Sequence, residues 1–71
     1  MSLTIGEKIK VIMNRQGMNM TDLAAKTKQT RQNLSNKMTR DNFTEKETRA
    51  MAEALGVDVE IKFRLPDGTT I

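Results

Sequence analysis

Apolar residues along the chain fall into helical stripes, followed by one alternating run. Ile5, Ile9, Ile12 and Met13 follow the i, i+4, i+7, i+8 spacing of a single helix face. Thr4, with Glu7 three residues on, has the spacing of a capping box, and Gly17 marks a stop after Arg15 in the last turn. These signals predict a first helix over about 4–16. Asn19 and Asp22 repeat the capping spacing ahead of Leu23, Ala24 and Thr27, so a short second helix ends near 26–27. Met18 is placed to fold onto Leu23 as a hydrophobic staple. After a turn at Lys28 and Gln29, Thr30 caps a third helix of about 31–38 whose inner face is Leu34 and Met38. A polar loop follows over 39–42. Thr44 then caps a fourth helix with Glu45 and Glu47 in its first turn, a buried stripe of Thr48, Met51, Ala52 and Leu55, and Gly56 at its end.

Beyond Gly56 the period changes from helical to two. Val57, Val59, Ile61, Phe63 and Leu65 alternate with Asp58, Glu60, Lys62 and Arg64, the pattern of a half-buried strand. Pro66, Asp67 and Gly68 form a turn, because Pro presets φ, Asp bonds nearby backbone and Gly accepts positive φ. Residues 69–71 can return as a short antiparallel strand. The expected architecture is therefore mainly all-α, four to five helices over 1–57, with a C-terminal β-strand or β-hairpin over 58–71 as part of the same domain.

A chain of 71 residues makes one small domain, and at that size folding buries only roughly 60% of the unfolded surface. A large active-site cavity is not expected. The sequence has no Cys and no His, which removes disulfides, thiol nucleophiles, the commonest metal ligand and the usual general base. No enzyme, metal or cofactor is expected, since Ser35 and the carboxylates lack a base partner. Phe43 and Phe63 are the only aromatic residues, too few for base-stacking modes of single-strand binding. No apolar run approaches the ~18 residues that span a bilayer, and Glu7, Lys8 and Lys10 interrupt any signal-peptide core. The expectation is a cytoplasmic protein with no membrane partner.

Charge is segregated along the chain. Residues 23–40 hold Lys26, Lys28, Arg31, Lys37 and Arg40 with no acid, a local charge of +5, whereas residues 41–61 sum to −4. A basic middle suggests a surface facing a polyanion. The outer face of the third helix carries Arg31, Gln32, Ser35 and Asn36, where a merely solvated helix is usually filled with Glu–Lys pairs.

The segment over 18–38, MNMTDLAAKTKQTRQNLSNKM, resembles the helix-turn-helix of the Cro/lambda-repressor (XRE-type) family. The likeness rests on Leu23-Ala24 in its first helix, the Thr30 cap, Gln32 early in its second helix and inward-facing Leu34. The first helix and Met51-Ala52-Glu53-Ala54-Leu55-Gly56-Val57 look like the flanking helices of that family, so the resemblance covers about 4–57. Four positions depart from the pattern: Lys28 stands where Gly is usual, Gln29 where an apolar residue is usual, Met20 where Gln is common, and Thr48 where a larger aliphatic is common.

The resemblance implies a sequence-specific double-stranded DNA-binding transcriptional regulator, a repressor that occupies an operator. Its reading helix would be 30–38, with base reading by Arg31, Gln32 and Asn36, and by Ser35 more weakly. Arg suits guanine and Asn or Gln suit adenine, so the residue types agree. Phosphate contacts would fall to Asn19, Lys28, Thr30, Asn33, Lys37 and Arg40. Val59, Ile61, Phe63 and Leu65 need cover that a small chain scarcely offers, so the strand is expected to pair with its copy in a homodimer; a local hairpin is the other reading. Two alternatives stand beside the repressor: an antitoxin whose acidic 41–60 stretch holds a toxin partner, and a protein-interaction module that kept the fold without DNA binding.

Overall fold

The computed structural model describes residues 3–71; Met1 and Ser2, the first residues of the expected 1–57 unit, lie outside them. Four helices follow in order: α1 (Ile5–Gln16), α2 (Met20–Lys26), α3 (Arg31–Arg40) and α4 (Glu45–Leu55). The chain is mainly helical, and among the described residues there is no fifth helix.

Each helix begins where a short polar side chain can accept from a backbone N–H that has no partner inside the helix. Thr4 accepts from Glu7 N at 3.1 Å while Glu7 Oε1 accepts from Thr4 N at 2.9 Å, a closed capping box. Asn19 and Asp22 do the same for α2 at 2.8 and 3.3 Å. Thr30 and Thr44 cap α3 and α4 by accepting from Asn33 N and Glu47 N.

The helix ends share one device. Gly17 and Gly56 take left-handed backbone at φ 65 and 70, and the next residues, Met18 and Val57, donate back to Met13 and Ala52 at 3.0 Å. Lys28 and Asp41 do the same at φ 57 and 51 without being glycine. Gln29 N then reaches the Ala24 carbonyl at 3.0 Å and Asn42 N the Lys37 carbonyl at 3.2 Å. Lys28, which stands where the resembled family usually has Gly, adopts the full left-handed geometry. One expectation is corrected here. The third helix runs two residues beyond 38, because its stop is Asp41 and not the start of the polar loop, so Arg40 is helical.

Ile9, Met13, Leu23, Ala24, Leu34, Met38, Met51 and Leu55 form one core cluster, with Leu23 and Leu34 fully enclosed. Met18 is half-buried against this cluster. Ile5 does not join the core; at 37% exposed it lies on the rim of α1. Helix α3 packs on α1 and α2, and α4 packs on the same two, while no Cα of α3 comes within 8 Å of one in α4. The N-terminus of α1 presses against the end of α3: Gly6 N donates to Asp41 Oδ1 at 3.0 Å, and a Cβ at Gly6 would sit 3.0 Å from the Met38 carbonyl oxygen.

The alternating segment pairs much less than its pattern predicts. Phe63 and Ile71 exchange backbone hydrogen bonds at 2.8 and 3.0 Å, and Leu65 donates to the Thr69 carbonyl at 2.8 Å, around a turn in which Asp67 Oδ1 accepts from Thr69 N and Oγ1. Arg64 and Thr70 form one isolated bridge, and residues 57–62 form no strand. These residues instead flank an apolar cleft of about 590 Å³ between α1 and α4, lined in part by Ile5, Ile12, Thr48, Val57, Val59 and Ile61. Residues 61–71 are all exposed, and the molecule measures 43 × 23 × 22 Å.

Candidate nucleic-acid interface

Helix α3 is strongly polar, with Leu34 and Met38 its only apolar residues. Leu34 and Met38, 0% and 6% exposed, turn into the core. At about 100° per residue, Asn36 lies opposite the midpoint of that pair, with Gln32 and Arg40 on either side of it. Gln32, Asn36 and Arg40 are exposed on this face. Arg31 is exposed in the first turn, but by the same rotation it falls on the Leu34–Met38 side and not on the outer face expected from the sequence, and Ser35 is half-buried on one flank. No acid occupies the first turn of α3, and Lys37 and Arg40 stand in its last turn. Gln32 Nε2 donates to Asn36 Oδ1 at 3.2 Å, so these two amides form a connected strip along the outward face.

The remaining candidate residues surround this strip unequally. Lys28 is exposed at the left-handed turn position, and Thr30 is exposed with its hydroxyl accepting from Asn33 N at 3.0 Å. Asn33 is exposed and donates through Nδ2 to Gln29 Oε1 at 3.3 Å. Lys37 leans away from the outward face, its ammonium 3.0 Å from Glu47 Oε2 on α4. That contact is one of charge alone, since no donor is aligned for hydrogen bonding to Oε2. Asn19 is the exposed N-cap of α2, and its backbone N–H is already taken by Asp22. The structure therefore gathers Lys28, Arg31, Gln32, Asn33, Asn36 and Arg40 along one exposed helix and its leading turn. It leaves Asn19 and Lys37 committed to internal partners.

Two residues absent from the expected site belong to its framework. Gln29 links Thr27 to Asn33, through Nε2 to Thr27 Oγ1 at 2.7 Å and through Oε1 to Asn33. Glu47 holds Lys37 from the opposite helix. The i, i+4 spacing of Gln29 and Asn33 was a legible signal for the first. Nothing local signals the second.

Of the C-terminal candidates, Val59 is half-buried against the cleft, whereas Ile61, Phe63 and Leu65 are exposed, Phe63 at 72%. Among the described residues no cluster of His, Cys, Asp or Glu is placed to hold a metal, and no helix is long and apolar enough to cross a membrane. Comparison with family models, with curated proteins and with solved structures finds no match to this chain.

Proposed function

We propose that this chain is a sequence-specific double-stranded DNA-binding transcriptional regulator, a repressor of helix-turn-helix type in which α2 and α3 are the paired helices and α3 enters the major groove. One observation carries the reading. Helix α3 seals itself to the protein through Leu34 and Met38 and exposes Arg31, Gln32 and Asn36, the side chains that match guanine and adenine edges, with no acid among them. Ser35 is a minor base contact on the flank. Lys28, Thr30, Asn33 and Arg40 are the phosphate candidates around the groove, and Lys37 joins them only by leaving Glu47. As a DNA-binding regulator the protein acts in the cytoplasm.

Homodimerisation through the C-terminal segment is part of this proposal. Phe63 and Ile71, 72% and 76% exposed, are costly to leave in water, and the apolar cleft beside 57–62 offers a surface that a second copy can cover. A two-fold pair of reading helices then matches two half-sites roughly 34 Å apart. The antitoxin alternative has less support, because three of its acids have internal duties: Asp41 accepts from Gly6 N, while Glu45 and Glu47 pair with Arg49 and Lys37.

Selection from random duplexes tests the reading. A symmetric consensus is expected, with affinity falling about 10³-fold or more between roughly 50 and 200 mM salt if six phosphates are contacted. Arg31→Ala should lose about 1–3 kcal/mol on the selected site and relax preference there. Phe63→Asp should sediment as a monomer. A chain that retains no duplex at about 50 mM salt is an interaction module that kept the fold, and the DNA reading fails.

A further inference from the structure

The hydrogen bonds from Thr27 through Gln29 to Asn33 have a direction that chemistry alone sets. Thr27 Oγ1 lies 2.9 Å from the Leu23 carbonyl oxygen and 3.3 Å from that of Ala24. A carbonyl oxygen only accepts, so the single hydroxyl proton is donated there. The hydroxyl can then only accept from Gln29, and it does so from Nε2 at 2.7 Å. Gln29 must therefore turn Oε1 toward Asn33, and Asn33 must turn Nδ2 toward Gln29, at 3.3 Å. An amide whose O and N ends are interchangeable in isolation is thereby held in one orientation. Thr27 and Gln29 are half-buried and form the root; Asn33 is exposed at the end.

What remains free on Asn33 is Oδ1 and one N–H. A phosphate oxygen accepts only, so it would use the N–H and leave Oδ1 without a partner. An acceptor beside a donor is the complement of the adenine N6–H and N7 edge in the major groove. We infer that Asn33 reads an adenine, and that Thr27 and Gln29 are positioning residues that orient it. This rests on the DNA-binding reading and moves Asn33 from backbone contact to base contact.

Selection from random duplexes is repeated with Asn33→Ala, Gln29→Ala, Thr27→Val and Thr27→Ser, each checked for an unchanged thermal midpoint. Wild type should prefer A·T at one half-site position by on the order of tenfold. That preference should vanish in Asn33→Ala, Gln29→Ala and Thr27→Val, and persist in Thr27→Ser, which keeps the hydroxyl. The inference is overturned if Asn33→Ala weakens all sequences equally, as a phosphate contact would. It is also overturned if Thr27→Val retains a preference that Asn33→Ala abolishes. Failure of the wild-type protein to bind any duplex is the separate result that removes the DNA reading and this inference with it.

Discussion

Lys37 Nζ and Glu47 Oε2, 3.0 Å apart, join two helices whose backbones do not approach within 8 Å between Cα atoms. Their side chains are 27% and 33% exposed, so the pair is partly screened. Partly exposed pairs contribute about 0.5–1 kcal/mol. A double-mutant cycle of Lys37→Ala and Glu47→Gln, read by denaturant unfolding, should give a coupling of that size. Zero coupling would mean that the contact does not brace α3. Glu47→Gln also releases the ammonium, so on duplex DNA the slope of log affinity against log salt should steepen by about 0.9, one further phosphate neutralised.

Lys28 is strained. A side chain at φ 57 costs about 1–2 kcal/mol, whereas glycine loses roughly 0.5–1 kcal/mol more in backbone entropy on folding. Lys28→Gly should therefore stabilise the fold by about 0.5–1 kcal/mol and raise the thermal midpoint by a few degrees. Lys28→Val should lower it, because a β-branched residue tolerates this conformation least. A lower midpoint for Lys28→Gly would show that the turn is not left-handed.

Gly6 offers a test in which two rules disagree. In an exposed helix Gly→Ala gains about 1 kcal/mol. Here the new Cβ meets the Met38 carbonyl oxygen at 3.0 Å and would push α1 away from the Asp41 carboxylate that accepts from Gly6 N. Steric crowding by a methyl against backbone should win, with a net loss of about 1–2 kcal/mol at an unchanged denaturant slope. A stabilised Gly6→Ala variant would contradict the close approach of α1 to α3.

Acid should weaken the first helix through its cap. The Thr4 backbone N–H, then the Thr4 hydroxyl, hold the Glu7 carboxyl below its ordinary 4.5. A carboxyl lowered in the folded state stabilises above its unfolded value, and that contribution is lost as pH falls through the folded value. Thermal midpoints should therefore decline below about pH 4.5. Glu7→Gln, which keeps the capping hydrogen bond without titrating, should flatten part of that decline. Carboxyl NMR titration of Glu7 checks the cause directly; an ordinary midpoint would reject it. Asp67 is lowered likewise, by the Thr69 hydroxyl and then the Thr69 backbone N–H, so the turn at 66–69 should loosen in the same direction.

The helix starts were legible because each is a contact over three residues: Thr4 with Glu7, Asn19 with Asp22, Thr30 with Asn33 and Thr44 with Glu47. Such pairs need only a few correct dihedrals, which local residue types supply. Gly17 and Gly56 announced their ends for the same reason. Lys28 stands out only as a place where the resembled family carries Gly, and Asp41 not at all, since neither residue type announces left-handed backbone.

The stripes of Ile9, Met13, Leu23, Leu34, Met38, Met51 and Leu55 determined by themselves which helical faces would share a core and that Leu34 and Met38 would be the inner side of α3, since burial follows the 3.6-residue period. Tertiary structure alone decided contacts between distant parts of the chain: Gly6 with Asp41, Gln16 Nε2 with the Leu55 carbonyl at 2.7 Å, and Lys37 with Glu47. Their partners are set by which backbones come within reach, and no local spacing records that. The alternating run over 57–65 lies between these cases. Its period states that one face needs cover, while hydrogen-bond pairing requires a neighbouring strand, which this single chain supplies only around Arg64 and Thr70.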